Sequence, residues 1–299
     1  IHMGASVLVF LLARRVGEAA GAGGAAFARW AALFFAVHPL GVQAVTYVYQ
    51  RAVSLEALLV YGTLALYWKG RERPWGGAYW GALGTGLLAM GAKEPAVTLP
   101  LLIAALEWIL RKPGETLGPM LRRGWPFALL PLQVAIQVWR VQSQADGQVA
   151  GGFRESGTHP VDHGFTRLQY LGLQFPIVLR YLALSLFPFP LHFGYDRTPP
   201  LPGAPFSLPV AATVLSAGLL AGLMAFVAAG PQRFRLPRLG LALFLAPLAL
   251  ESSVFPIKDL AANHRCYPGL LGAALFFAWA VTRLRRPLAL GAGALALLA

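Results

Sequence analysis

Long apolar runs follow one another along almost the whole chain and constrain its fold more than any other feature. A helix that crosses a bilayer needs about 20 mostly apolar residues, and the runs reach or approach that length. They are Met3 to Val16, Ala25 to Leu40, Ala52 to Trp68, Trp75 to Ala92, Ala96 to Leu110, Trp125 to Val141, Leu168 to Phe187, Leu208 to Ala229, Leu239 to Pro256 and Tyr267 to Val281, and another begins at Pro287. The pattern predicts an all-α polytopic membrane protein with roughly 9–11 transmembrane segments.

The composition excludes the other broad classes. Of 299 residues, 57% are hydrophobic and only 12% are charged. A soluble domain carries about 25% charged residues, and a disordered chain needs low hydrophobicity. The net charge of +13 would suggest nucleic acid in a soluble protein. In a membrane protein the basic residues first decide topology, so the bilayer and not nucleic acid is the predicted partner.

The basic residues form clusters at alternate ends of successive runs. The clusters are Arg14-Arg15, Lys69/Arg71/Arg73, Arg111/Lys112/Arg122/Arg123, Arg233/Arg235/Arg238 and Arg283/Arg285/Arg286. The positive-inside rule makes these loops cytoplasmic. All six histidines fall on the opposite, outer side. The outer turns are therefore the predicted location of any chemistry.

Counting the crossings leaves one run in excess. The polar loop at 142–167 is predicted on the outer side and Arg233 on the cytoplasmic side. Two full crossings between them would return the chain to the outer side, so Leu168 to Phe187 cannot be a simple crossing. The prolines at Pro188, Pro190 and Pro199 favour a re-entrant or interfacial element over 168–207. Irregular backbone of this kind is tolerated in a membrane where protein covers it or a cavity adjoins it.

Two outer turns carry candidate phosphate-binding groups. His38 begins the first turn, and Gln50 and Arg51 end it. A cation at a helix start opposes the helix dipole, so Arg51 either clamps a phosphate through paired donors or snorkels to lipid headgroups. In the second turn, Lys93 and Glu94 form either a solvated surface pair or a cation and a carboxylate placed over a cleft.

The last outer turn is the densest in polar residues. Lys258 and Asp259 are followed by His264, Arg265 and Tyr267 between two apolar runs. The imidazole and guanidinium are suited to binding a phosphate or protonating a leaving group. The alternative is an interfacial belt with the tyrosine at headgroup level.

Metals and organic cofactors are not predicted. His159, Asp162 and His163 lie close together but lack zinc-motif spacing, and a single cysteine does not favour a thiolate site. Three acids lie inside apolar runs, and the cost of exposing them to lipid predicts that they face protein or a cavity. They are Glu56, Glu107 and Glu251.

Four segments, in order along the chain, resemble motifs of the transmembrane-and-TPR O-mannosyltransferases, most closely their bacterial relatives. The segments are His38-Pro39…Gln50-Arg51…Ser54-Leu55, Ala92-Lys93-Glu94…Pro100-Leu101, Arg180-Tyr181-Leu182…Tyr195-Asp196 and Phe255-Pro256-Ile257-Lys258-Asp259…His264-Arg265…Tyr267. The resemblance implies an integral-membrane glycosyltransferase of the GT-C class. Such an enzyme takes a sugar from a polyprenyl-phosphate carrier and acts, in bacteria, on the periplasmic face of the inner membrane.

The resemblance also implies roles for individual residues. Arg51, Lys93, His264 and Arg265 would bind the donor phosphate. The catalytic acid of the class lies in its first outer loop, which is expected to precede Ile1. Glu94 and Asp196 are the candidate carboxylates within the chain, with His38, Gln50, Lys258, Asp259 and Tyr267 as further site candidates.

The acceptor is expected to be a protein or a glycan, and the whole of 1–299 one domain cut at both ends. The alternatives are a transporter or flippase for a lipid-linked or anionic substrate, and a surface-polysaccharide ligase.

Overall fold

A computed structural model describes residues 1–112, 114–144, 167–189, 210–253 and 260–283. Within these ranges the regular structure is helical, which confirms the all-α class. The α-helices are α1 (His2–Ala19), α2 (Gly24–Val37), α3 (Val42–Thr46), α4 (Arg51–Gly70), α5 (Gly77–Ala92), α6 (Leu99–Leu110), α7 (Leu117–Ala128), α8 (Pro131–Gln144), α9 (Arg167–Leu186), α10 (Val210–Ala229), α11 (Arg235–Glu251) and α12 (Leu270–Arg283). Short 3₁₀ turns connect several of them: Pro39–Gly41, Val48–Gln50, Glu94–Thr98, Gln232–Phe234 and Asn263–Cys266.

Prolines account for several boundaries, because a residue before proline avoids the helical region. His38 is extended and ends α2 ahead of Pro39. The predicted single run from Trp125 to Val141 is wrong for the same kind of reason. It is divided into α7 and α8, since Pro131 lacks the N–H that would continue α7 and instead begins a new helix.

One described helix is long and apolar enough to cross a membrane, the segment Ala212–Ala229 of α10. A second candidate is the pair Gly24–Val37 and Pro39–Thr46, which bends by 52° at its break. The other described helices do not combine the required length, hydropathy and low charge; the 12 residues of α6 rise only about 18 Å. The number of crossings therefore stays a prediction.

The helices form one bundle with a continuous apolar core. Helix α4 packs against α5 and α1, and α12 packs against α11 and α2. Aromatic side chains fill the centre, where Phe35 contacts both Tyr61 and Tyr267. Helices α11 and α12 approach so closely that a Cβ atom on Gly272 would collide with the carbonyl oxygen of Gly240. Small residues at a helix crossing permit this contact.

A saturated ion cluster closes the end of the bundle where α4 and α6 finish. The Glu107 carboxylate is 2% exposed. It accepts hydrogen bonds from Tyr67 Oη at 2.9 Å, Arg71 Nη1 at 3.2 Å and Arg123 Nη2 at 2.5 Å. Arg123 Nη2 also donates to Glu115 Oε1 at 2.6 Å. We call these five residues the Glu107 cluster and this end of the bundle the basic end.

The acids within apolar runs are buried against protein, as the sequence predicts. Glu56 is 1% exposed, Glu107 is 2% exposed, and the Glu251 side chain is 14% exposed. Helix α9 is one continuous helix that includes Pro176. Most of the predicted outer loop, residues 145–166, and the Pro-rich stretch that follows α9 lie outside the described residues.

Candidate functional site

A second polar cluster lies at the end of the bundle opposite the basic end. Lys93, just after α5, places its Nζ atom 2.8 Å from Oε1 of Glu251, the last residue of α11. Arg265 Nε lies 3.7 Å from Glu251 Oε2. Lys93, Glu251, Arg265 and the adjacent His264 form what we call the Glu251 cluster.

Backbone geometry separates the two charges of the Lys93-Glu94 motif. Lys93 is extended, with φ −162° and ψ 150°, because the chain must leave α5 before Pro95 begins the next turn. Successive side chains of an extended backbone point in opposite directions. Lys93 is therefore half-buried against Glu251, whereas Glu94 is exposed. Among the described residues, the carboxylate partner of Lys93 is Glu251 and not its neighbour.

The turn Asn263–Cys266 carries the two predicted phosphate ligands of the last outer motif into the protein. His264 is 6% exposed and Arg265 is 4% exposed. The backbone N–H of His264 donates to Gln43 Oε1 at 2.9 Å, which joins this turn to α3. Burial lowers the pKa of His264 to about 4, and the charges of Lys93 and Arg265 act in the same direction. His264 is therefore a neutral hydrogen-bonding group at neutral pH.

Helix α9 supports the same turn from the other side. Tyr181 Oη accepts a hydrogen bond from the backbone N–H of Ala262 at 2.6 Å, and Gln174 Nε2 donates to the Leu260 carbonyl at 3.3 Å. From α4, Tyr61 Oη donates to the carbonyls of Tyr267 and Pro268. Side chains distant in sequence therefore hold the cluster in place. The sequence predicted this supporting role for none of the three.

Two predicted site residues anchor helix ends. His38 is 3% exposed, and both its ring nitrogens contact backbone: Nδ1 accepts from Leu40 N–H and Nε2 lies 3.2 Å from the Ser185 carbonyl. Tyr267 is fully buried in the core, with its Oη atom 2.8 Å from His2 Nδ1. The Tyr267 side chain therefore contacts protein on all sides.

Gln50 and Arg51 lie at the start of α4, at the end of the bundle that carries the Glu251 cluster. Lys69 lies in the last turn of α4, at the basic end. Helix α4 also contacts the turn Glu94–Thr98. Gln50 is 6% exposed. Arg51 is exposed and has no ion pair in the part of the chain that the structure describes. Its guanidinium is available to an anion at the surface.

Glu56 is a further carboxyl close to the cluster, near enough to Lys93, Glu94 and Glu251 for their charges to act on it. Its Oε2 atom is buried and accepts no hydrogen bond from any described residue. Buried polar atoms are nearly always paired, so this atom marks a location where a ligand or water is expected. The sequence signal for it was an acid inside an apolar run.

Asp196, Lys258 and Asp259 lie outside the described residues. Within the described ranges, no three His, Cys, Asp or Glu side chains converge as metal ligands. Comparison with known proteins gives no match: no family model, no curated protein and no solved structure matches the chain. Function is therefore inferred from the arrangement of the side chains.

Proposed function

We propose that the protein is a polytopic membrane glycosyltransferase that moves a sugar from a polyprenyl-phosphate carrier to a protein or glycan acceptor on the periplasmic face. The observation that carries the proposal is the convergence of Lys93 and Arg265, 172 positions apart in sequence, on the single carboxylate of Glu251. An ammonium and a guanidinium held in this way form a preorganised contact for a phosphate, with the surface guanidinium of Arg51 at the same end.

An apolar cavity of about 240 Å³ between α9, α10, α11 and α12 supports a lipid-linked donor. Leu182, Phe244 and Phe276 are among its lining residues, and Ser185 contributes the polar side chain. Ser185 also provides the carbonyl that His38 contacts, so the cavity adjoins the turn that follows α2. An isoprenoid chain buried here would gain about 25 cal/mol per Å² of apolar surface removed from water.

The proposed reaction needs a carboxylate to accept the proton of the acceptor hydroxyl. That hydroxyl attacks the anomeric carbon, the bond from this carbon to the phosphate oxygen breaks, and polyprenyl phosphate leaves. Lys93 and Arg265 stabilise the charge that develops on the leaving phosphate. In this proposal, the exposed Glu94 carboxylate orients the acceptor.

The test uses the protein in lipid nanodiscs with a short polyprenyl phosphate carrying radiolabelled mannose or glucose. Release of label in the presence of acceptor supports the proposal, and Lys93→Met should reduce it at least about tenfold. Arg122→Gln is the matched control, since Arg122 is an exposed cation at the basic end. Equal activity of Lys93→Met and wild type would remove Lys93 from the site, and no release with any donor would overturn the transferase assignment.

Transport of a lipid-linked or anionic substrate is the second candidate, and the break between α2 and α3 favours it. The two helical segments bend by 52° at this break, and interrupted helices are common at transporter binding sites. Reconstitution into vesicles separates the two functions. A transporter would move intact labelled donor across the bilayer without breaking the sugar–phosphate bond.

A further inference from the structure

A separate cavity of about 380 Å³ opens at the basic end. It lies between the chain that follows α6 and the turn that precedes α11. Its lining residues are Arg111, Lys112, Gly114, Glu115, Gln232 and Arg235. Cations therefore make up half of its lining, at the end of the bundle opposite the Glu251 cluster.

Three arginines in or beside this cavity lack a carboxylate partner among the described residues. Arg111 and Arg235 line it, and Arg238 is close enough to both for their charges to repel its own. None of the three forms an ion pair with any residue that the structure describes. Three guanidinium groups close together repel one another, so a bound anion would stabilise them.

The nearby acids are already engaged. Glu115 lines the cavity, but its Oε1 atom accepts from Arg123 at 2.6 Å and its Oε2 atom accepts from the Lys112 backbone N–H at 3.1 Å. Glu72 pairs with the Lys112 ammonium at 3.3 Å. In the described part of the chain, these carboxylates are therefore paired with Arg123 and Lys112 and not with Arg111, Arg235 or Arg238.

Arg238 supplies the most direct indication of a ligand. It is only 2% exposed, and its Nε and Nη2 atoms donate to the Val227 carbonyl at the end of α10. Its Nη1 atom is also buried, yet it has no hydrogen-bond partner among the described residues. A buried N–H donor without an acceptor is costly, and an anion bound close to Arg238 would provide the acceptor.

The other two arginines are held in place before any ligand arrives. The Arg111 guanidinium stacks over the Trp108 ring at 3.9 Å, and Trp108 Nε1 donates to the Ala228 carbonyl at 2.8 Å. Arg235 Nε donates to Gln232 Oε1 at 2.6 Å. Arg235 also begins α11, whose first turn has no side-chain cap. The positive end of the helix dipole therefore adds to the potential at the cavity.

We propose that this cavity binds a phosphate group, carried either by the headgroup of an anionic phospholipid or by free phosphate. Guanidinium groups present paired donors that match phosphate oxygens. Basic pockets between helices on the cytoplasmic side of a membrane bind anionic headgroups in this way. The site is independent of the proposed transferase, because its residues lie at the other end of α6 and α11 from the Glu251 cluster.

The test measures binding to the purified full chain in nanodiscs of phosphatidylcholine. Phosphatidylglycerol in the bilayer is one probe and inorganic phosphate in solution is the other. The double variant Arg111→Gln/Arg235→Gln should weaken the binding of whichever probe occupies the site by about tenfold or more. The control Arg122→Gln removes an exposed cation at the same end but outside the cavity, and it should change binding less than about twofold.

The two probes distinguish the sources of the phosphate. If the double glutamine variant loses binding of phosphatidylglycerol alone, the site binds a lipid headgroup. If it loses binding of inorganic phosphate, the site binds the free anion. A second variant, Arg111→Lys/Arg235→Lys, keeps the charge but loses the paired donors. Its affinity for the probe should fall between that of the wild type and that of the double glutamine variant. The proposal is overturned if neither probe binds the wild type, or if the glutamine variant folds and binds both probes as tightly as the wild type.

Discussion

Glu107 and Glu251 are both carboxylates near the ends of apolar helices, and both contact two cations, yet their surroundings differ. Glu107 is 2% exposed and accepts hydrogen bonds from Tyr67, Arg71 and Arg123 at 3.2 Å or less. The Glu251 side chain is 14% exposed, and one of its two cation contacts is 3.7 Å long. One carboxylate is saturated with donors, and the other is held loosely.

The difference separates a structural cluster from a candidate binding site. The Glu107 cluster joins α4, α6 and α7 through complete hydrogen bonding, which leaves little for a ligand to improve. Beside the Glu251 cluster lie a Glu56 oxygen that accepts no hydrogen bond in the described part of the chain and an exposed Glu94. Incomplete polar satisfaction in a buried region is an expected property of functional sites.

The largest expected effect comes from neutralising Glu107. Glu107→Gln keeps the side-chain shape but leaves the guanidinium groups of Arg71 and Arg123 without their central anion. Breaking a buried ion pair in this way costs about 3–5 kcal/mol. Thermal unfolding in detergent should show a clearly lowered Tm. The control is Glu72→Gln at the same end, where the pair with Lys112 is exposed and worth little; equal Tm values for both variants would contradict the structural role of Glu107.

The next effect is a pH dependence that belongs to the Glu251 end. Burial lowers the pKa of His264 from 6.5 to about 4. Between these values the unfolded chain binds a proton that folded His264 does not, so stability rises with pH across this window. His264 contributes about 3 kcal/mol to the free energy of unfolding above pH 6.5, and this contribution is lost as the pH falls to 4. The difference in Tm between wild type and His264→Gln should therefore change between pH 4.5 and 7; parallel pH profiles would refute the assignment.

Neutralising Glu251 should cost less than neutralising Glu107. In Glu251→Gln the Lys93 ammonium, 20% exposed, can turn to water, and Arg265 loses a contact of 3.7 Å rather than a short hydrogen bond. We expect a loss of about 1–3 kcal/mol in the free energy of unfolding, measured in the same detergent. An equal loss in Glu107→Gln and Glu251→Gln would show that the two carboxylates contribute equally to stability, and it would contradict the difference between the two clusters.

The smallest effect on stability is expected at Arg51. Arg51→Ala removes an exposed guanidinium without a described ion partner, so the free energy of unfolding should change by no more than about 0.5 kcal/mol. Binding of a polyprenyl-phosphate sugar should nevertheless weaken, because a phosphate contact is lost. Titration of the donor against both proteins measures this. Unchanged donor affinity would assign Arg51 to headgroup snorkelling instead.

Much of the helical framework could be predicted from the sequence. Nine of the ten complete apolar runs overlap one main α-helix each, because helix formation follows apolar pattern and proline position, which are local. The exception, Trp125 to Val141, contains two prolines within a strongly apolar stretch. The high hydropathy of this run predicted one helix. The structure instead divides the run before Pro131, where α8 begins.

The candidate site was predicted less completely. Lys93, His264 and Arg265 were recognised by their residue types and their place in outer turns, and the structure brings them together. Their partner Glu251 and the supporting side chains of Tyr181 and Gln174 were assigned no role. Each acts across a long sequence separation, 158 positions for Lys93 and Glu251, and no local pattern reports such a pairing.

The sequence by itself determined that the chain is helical and apolar, and it placed five clusters of basic residues in one set of turns and the histidines in the other. These properties follow from the order of residues along single helices. Only the tertiary structure decided which acids meet which cations: Glu107 with two arginines in a closed cluster, Glu251 with Lys93 and Arg265 in an open one, and Arg238 with no acid among the described residues. The physical reason is that pairing depends on how helices pack against each other, and packing combines contributions from the whole chain.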